Sequence, residues 1–144
     1  RFLTWTCNGK LKGTGKFLEG LAMDSTAPSI KLEHADARGE IYSIILPGNR
    51  EIMLLRSNPG ALRGGHSHSC DEIVVLLSGR MVYHKQVDRE FMTAGDVSFN
   101  RAGDIHMGEF LEESWVIEAK LAEKGAWSQT DYEPMREKVR ASQR

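Results

Sequence analysis

Two histidines, a glutamate and a third histidine carry the chemistry in this sequence. One residue separates His66 from His68, and three more separate His68 from Glu72. On a strand, residues two apart project to the same side, so the two imidazoles can converge on one point. Glu72 lies past a tight connection at 69–71 and can open the next strand facing the same interior. His106 follows the Gly103-Asp104 turn and could supply a third imidazole. Three imidazoles and one carboxylate form a mixed nitrogen and oxygen set that suits one divalent first-row transition metal. Such a set leaves coordination positions open, as catalytic sites do and closed structural sites do not. Iron, nickel, zinc and manganese all fit, and the ligand set does not choose among them. The bland alternative is a pair of surface histidines beside a Gly-rich turn, which would hold for an isolated His-x-His.

Other side chains stand close enough in sequence to assist. Arg63 precedes the histidines in the run Arg63-Gly64-Gly65-His66 and could clamp a carboxylate or phosphate. The glycines would allow close approach of backbone or ligand. Tyr83 shares a strand face with Met81, and if that face is inward it is a candidate general acid/base or hydrogen-bond donor, with His84 pointing outward. A surface arginine and a core tyrosine are the commoner fates of such residues. Cys70 reads as a turn residue that happens to lie between ligands. His34 has no partner in the sequence and reads as surface. Trp5, Trp115 and Trp127 are scattered and suit core packing or a dimer surface better than a binding stripe.

The elements that must position these groups are short strands. Apolar, β-branched runs recur at 41–46, 51–56, 71–77, 80–84, 91–92, 97–99 and 114–118, and turn residues close several of them. That rhythm predicts an antiparallel sandwich or barrel. No helices alternate with the strands, which disfavours a parallel βαβ sheet. With Glu72 inward, Val74 and Leu76 would also face the interior, while Ile73, Val75 and Leu77 face the other side. Both sets are apolar, so this strand is expected to be buried on both sides. Pro134 marks a helix start, and Met135 and Val139 share one helical face, predicting a short helix near 134–142. Gly9, Gly13, Gly15 and Lys16 invite a phosphate-loop reading. It fails, because Lys10 stands where a glycine is needed and Phe17 where Ser or Thr should bind magnesium.

The 144 residues amount to about one domain, with 40% hydrophobic and 27% charged residues, as in globular chains. A net charge of -1 argues against nucleic acid as a partner. No apolar run approaches the ~20 residues of a membrane helix. Two cysteines without a CxxC make neither a disulfide framework nor a thiolate metal motif. A reducing, cytoplasmic location is the default expectation. The chain begins at Arg1 without a methionine, which leaves a removed leader open.

The spacing Gly60-x5-His66-x-His68-x3-Glu72-x6-Gly79 resembles the first motif of the cupin family. Gly95, Gly103 and His106 match the second motif, with Arg101 where the family usually has Pro and Phe110 where it usually has Asn. Chance alone would place the five fixed residues of the first motif in one of ~10⁴ chains. The resemblance implies an all-β fold, a single cupin jelly-roll β-barrel or double-stranded β-helix. The barrel would span 38–120, with an N-terminal extension or strands packing on it at 1–37 and a C-terminal tail with a short helix at 121–144. It also implies His66, His68, Glu72 and His106 as ligands of a mononuclear divalent metal, and a homodimer. Metal-binding cupins act on small organic molecules as dioxygenases, isomerases or lyases. An Arg-Gly-x-His-x-His run and the stretch Asp36-Ala37-Arg38-Gly39 also resemble cupins that isomerise or epimerise keto-sugars without metal. A non-enzymatic cupin that binds a small ligand is the third possibility. A substrate with an anionic group is expected from Arg63; neither substrate nor reaction type follows from the sequence.

Overall fold

Turn residues separate the strands much as their spacing predicts. The structure is a computed structural model that describes residues 28–144. Trp5, Cys7 and the Gly- and Lys-rich run ending at Lys16 lie outside the described residues. The elements are β1 (Ser29–Asp36), β2 (Gly39–Leu46), β3 (Arg50–Ser57), β4 (Leu62–His68), β5 (Glu72–Ser78) and β6 (Arg80–Lys85). They continue with β7 (Arg89–Thr93), β8 (Val97–Asn100), β9 (His106–Phe110), β10 (Ser114–Lys120), β11 (Gln129–Asp131) and α1 (Glu133–Ser142). Six strands form one sheet in the order β1-β2-β3-β10-β5-β8, and five form another in the order β11-β4-β9-β6-β7. All pairings are antiparallel. The two sheets enclose Leu55, Val74, Leu76, Met81, Tyr83, Phe110 and Val116, which form the main core. This is the all-β jelly-roll barrel, or double-stranded β-helix, that the motifs imply.

The expected phase of β5 holds on one side only. Glu72, Val74 and Leu76 are fully buried. On the other side Ile73 and Val75 are half-buried, and Leu77 is 47% exposed. The strand is therefore not buried on both sides, because nothing in the chain described here covers the outer face of its sheet. β1 falls within the stretch read as an N-terminal extension. It pairs with β2 along its length, and all eight of its residues are exposed. β11 has no apolar pattern either and exists because its backbone pairs with β4.

The helix forms where Pro134 predicts it, and it buries Met135 and Val139 as their spacing requires. They pack with Met107 of β9 into a second, smaller core. Among the described residues, no helix is long and apolar enough to cross a membrane.

Candidate metal centre

His66, His68 and His106 come together because β4 pairs with β9. Residue His66 stands directly opposite His106 across the ladder. The three rings offer nitrogen atoms that lie within 4.8 Å of one another, a spread that one ion can draw together. His68 and His106 are buried, and His66 is half-buried. Glu72 reaches them from the opposite sheet. Its Oε2 lies 3.0 Å from His106 Nε2, and its Oε1 lies 3.4 Å from His68 Nε2.

Backbone contacts lock the two halves of the cluster. The Gly103 N–H donates to the His68 carbonyl at 2.8 Å, and the Ala102 N–H donates to Asp71 Oδ1 at 2.8 Å. The Arg101 N–H donates to Asp104 Oδ2 at 2.8 Å, so side chains hold this turn where the motif usually relies on proline. Phe110, in place of the usual Asn, is a core residue.

Arg63 belongs to the same face because of a bulge. Gly64 pairs with Met107 and His66 with His106, leaving Gly65 as an extra residue. Both glycines have positive φ, 97° and 76°, and the bulge resets the strand's alternation. Arg63, three residues before His66, therefore points inward with it. Its residue is 6% exposed. Nε donates to Ser57 Oγ at 2.8 Å and Nη2 to the Arg56 carbonyl at 3.3 Å. Part of the fork expected to clamp an anion is thus used by the protein. Both acceptors are neutral, and no carboxylate forms an ion pair with Arg63 among the described residues. Burial, then the charge of Arg38, lowers its pKa.

Tyr83 points inward as expected, 3% exposed, while His84 faces the other way and contacts Glu109 at 2.8 Å. The Tyr83 ring stacks 6.0 Å from that of His106. Its hydroxyl oxygen accepts a hydrogen bond from Asn100 Nδ2 at 2.7 Å, and the same amide donates to Glu72 Oε2 at 3.0 Å. Burial, with the Glu72 charge, raises the phenol well above its ordinary value, so it stays protonated.

Sequence reading missed four groups. Lys120, Glu72 and Asn100 form one cross-strand row through β10, β5 and β8. Lys120 Nζ lies 2.9 Å from Glu72 Oε1, an ion-pair contact without hydrogen-bond alignment, and 3.7 Å from Glu118. It also sits 4.9 Å above the Trp127 ring. Trp127 meets His68 edge-on at 5.1 Å and lines the cavity beside it. The Ser69–Ser128 backbone bond at 3.0 Å brings it there. Strand alternation could have placed Glu118 and Lys120 inward with Val116, and Asn100 inward with Ser98. Nothing local in sequence could have placed Trp127. Cys70 is a free thiol on the turn, pushed up by burial. His34 is exposed, and Asp36, two residues on, partners it at 2.9 Å.

The protonation pattern fits a cation. Burial drives His66 down to about 3, helped by the neighbouring His106 and His68, so it stays neutral with a lone pair to offer. Burial raises Glu72, but contacts with His106, His68 and Lys120 outweigh it and hold the carboxyl well below its usual range. His106 Nδ1 lies 2.9 Å from the Asp104 carbonyl and must donate to it, which leaves Nε2 facing Glu72. A neutral ring would set lone pair against lone pair across 3.0 Å. Either a cation or a second ring proton must intervene. With the proton, burial opposes but Glu72 wins, and the His106 pKa rises. His68 is harder to satisfy without a metal. It is 3% exposed, yet neither Nδ1 nor Nε2 has a hydrogen-bond partner. Buried polar atoms left unpaired are rare in native proteins and call for a partner. The donor set and an orphaned His68 nitrogen therefore fit a divalent first-row metal.

The cluster opens onto a cavity of about 530 Å³ lined by His66, Arg63, Glu118, Lys120, Trp127 and Arg136, among others. Glu118 keeps a quarter of its side chain exposed within it, and burial, with the Glu72 charge, raises its pKa.

Solved structures share this architecture. No family model and no curated protein matches the chain. The capsular polysaccharide assembling protein CapF from Staphylococcus aureus is similar over 75% of this chain, with a TM-score of 0.60 and 18% identity. An uncharacterized double-stranded beta-helix protein from Klebsiella pneumoniae matches 69% of the chain at TM-score 0.59 and 13% identity. Salicylate 1,2-dioxygenase from Pseudoaminobacter salicylatoxidans matches 57% at TM-score 0.52 and 7% identity. The matches cover 35% of CapF, 90% of the Klebsiella protein and 24% of the dioxygenase. The fold is that of the cupins, the double-stranded β-helix proteins.

Proposed function

We propose that this chain is a metal-dependent cupin that acts on a small organic molecule. His66, His68, Glu72 and His106 would hold one divalent first-row metal. The single observation that carries this reading is His68, buried among the other ligands with both ring nitrogens unpaired. The cavity on which the cluster opens supports a small-molecule site. Bound there, the metal would supply Lewis-acid polarisation of substrate oxygens, or a place for dioxygen. Dioxygenase, isomerase and lyase chemistry all remain compatible with that set, and the likeness to a dioxygenase is one of fold.

The protein's own groups would orient the substrate. Arg63, a buried cation without a carboxylate partner, favours a substrate that carries a carboxylate or phosphate. Tyr83 uses its oxygen to accept from Asn100, which leaves its proton free to donate beside the His106 ring. Lys120 would stabilise negative charge developing beside Glu72. Trp127 offers an apolar face and excludes water. The reading includes a homodimer and a cytoplasmic location, for which the free Cys70 thiol is compatible evidence.

A second reading keeps the barrel but not the metal. The Lys120 ammonium beside Glu72 partly neutralises the carboxylate without an ion, as a metal-free isomerase, epimerase or ligand-binding cupin would need. Elemental analysis of untagged protein purified anaerobically decides between them. About one equivalent of a first-row metal is the expected result. No metal, and none taken up from added iron, nickel, zinc or manganese, would overturn the first reading in favour of the second.

A further inference from the structure

Both oxygens of Glu72 have partners within the protein. Oε2 accepts from Asn100 Nδ2 at 3.0 Å and faces His106 Nε2 at the same distance. Oε1 lies 2.9 Å from Lys120 Nζ, and the two side chains are 1% and 8% exposed. The ammonium answers the same negative charge that a metal ion would. A divalent ion sharing Glu72 with it would meet a repulsion that water does little to screen. Lys120 also has a second carboxylate beside it. Glu118 stands two residues back on β10, so strand alternation puts both side chains on one face. Glu118 Oε2 is 3.7 Å from Nζ, which is an ion-pair contact but too long for a hydrogen bond. Glu118 lines the cavity and keeps a quarter of its side chain exposed there. The Trp127 ring, 4.9 Å from Nζ, favours a cation in this place whichever carboxylate it pairs with.

We propose that Lys120 is a positioning residue that exchanges carboxylates: it pairs with Glu72 until Glu72 takes up a divalent cation, and then turns to Glu118. The inference rests on the proposed metal-dependent function. No covalent bond forms or breaks and no proton moves; one positive charge changes its neighbour. Both carboxylates are already within ion-pair range of Nζ, so the lysine stem stays where it is. The exchange has two consequences. It sets metal affinity below what the ligands alone would give. It also joins metal uptake to the cavity, because Glu118 shares that cavity with Arg63. With Lys120 against it, the Glu118 charge opposes an anionic ligand less, so an anion binds better after the ion than before it.

Calorimetric titration of the metal-stripped full chain with zinc tests this. Lys120→Met removes the competing charge and tightens zinc binding by about tenfold or more. Lys120→Arg keeps the charge and stays near the wild-type affinity. Glu118→Gln takes away the second carboxylate and weakens binding by about tenfold. In the Lys120→Met background the same change costs about twofold or less, because no ammonium is left to receive. A lysine needed only for packing would give weaker binding when replaced. Far-UV circular dichroism confirms that each variant remains folded. Equal or weaker binding by folded Lys120→Met overturns the exchange. So does Lys120→Arg binding as tightly as Lys120→Met, or an equal loss from Glu118→Gln in both backgrounds. Should Lys120→Met fail to fold, unchanged zinc binding by Glu118→Gln overturns the exchange by itself. These results leave the metal-dependent reading standing. If none of these proteins binds zinc, that reading falls and the exchange falls with it.

Discussion

Replacing His68 by leucine has opposite expected effects with and without metal. The side chain is 3% exposed and both ring nitrogens are unpaired. A buried polar group left without partners costs about 1–3 kcal/mol. Leucine is of similar bulk and removes that cost, while imperfect repacking returns up to about 1.5 kcal/mol. The metal-free variant is therefore as stable as the metal-free wild type, or slightly more stable. Metal at a hundredfold excess over its dissociation constant adds about 2.7 kcal/mol to the wild type. For a domain of this size that raises the Tm by roughly 8 °C. The variant has lost one ligand and its Tm rises little. Scanning calorimetry of metal-stripped proteins, with and without added zinc, nickel or manganese, reads both effects. An equal rise in the variant would refute the ligand assignment. A loss above about 3 kcal/mol in the metal-free variant would show instead that His68 is a satisfied core residue.

The remaining expectations follow the same geometry. Arg63→Ala weakens binding of a carboxylate- or phosphate-bearing ligand while metal content stays at the wild-type level; equal ligand affinity measured by calorimetry dismisses the clamp. Gly64→Ala places a Cβ 2.8 Å from the His106 carbonyl oxygen at a φ of 97°, so urea denaturation shows a loss of about 1–3 kcal/mol or more; an unchanged midpoint contradicts the bulge. Burial raises the Glu51 pKa, but Lys124 and Ser43 outweigh it and hold the carboxyl below its ordinary 4.5. A depressed folded pKa gives stability that is present above 4.5 and lost as the pH falls below it. Glu51→Gln accordingly flattens the acid limb of a Tm-against-pH curve, and an identical limb would mean that the pair contributes nothing.

The proposed metal ligands were legible because their chemistry and spacing are local. His66, His68 and Glu72 sit on two consecutive strands, and a period of two orients them without knowledge of the rest. The helix was legible for the same reason, through Pro134 and the Met135–Val139 spacing. Lys120 and Asn100 were not, because their importance comes from lying across the ladder from Glu72, and the sequence does not reveal which strands become neighbours. Trp127 reaches His68 only through a loop that Ser69 and Ser128 hold in place. β5 was read as buried on both faces because its outer residues look like core. Composition measures what a side chain prefers, and the fold decides what covers it.

The extra residue at Gly65 has a consequence for how such a barrel can vary. A regular strand ties every side chain to the parity of its position, so moving one inward group moves them all. The bulge breaks that bond between Arg63 and the histidines. What lies after it would be fixed by the demands of coordination. What lies before it keeps its own phase and can be exchanged, arginine for a neutral or acidic residue, without disturbing the ligands. One glycine thus divides the strand into two modules, one that carries the histidine cluster and one free to change what faces it.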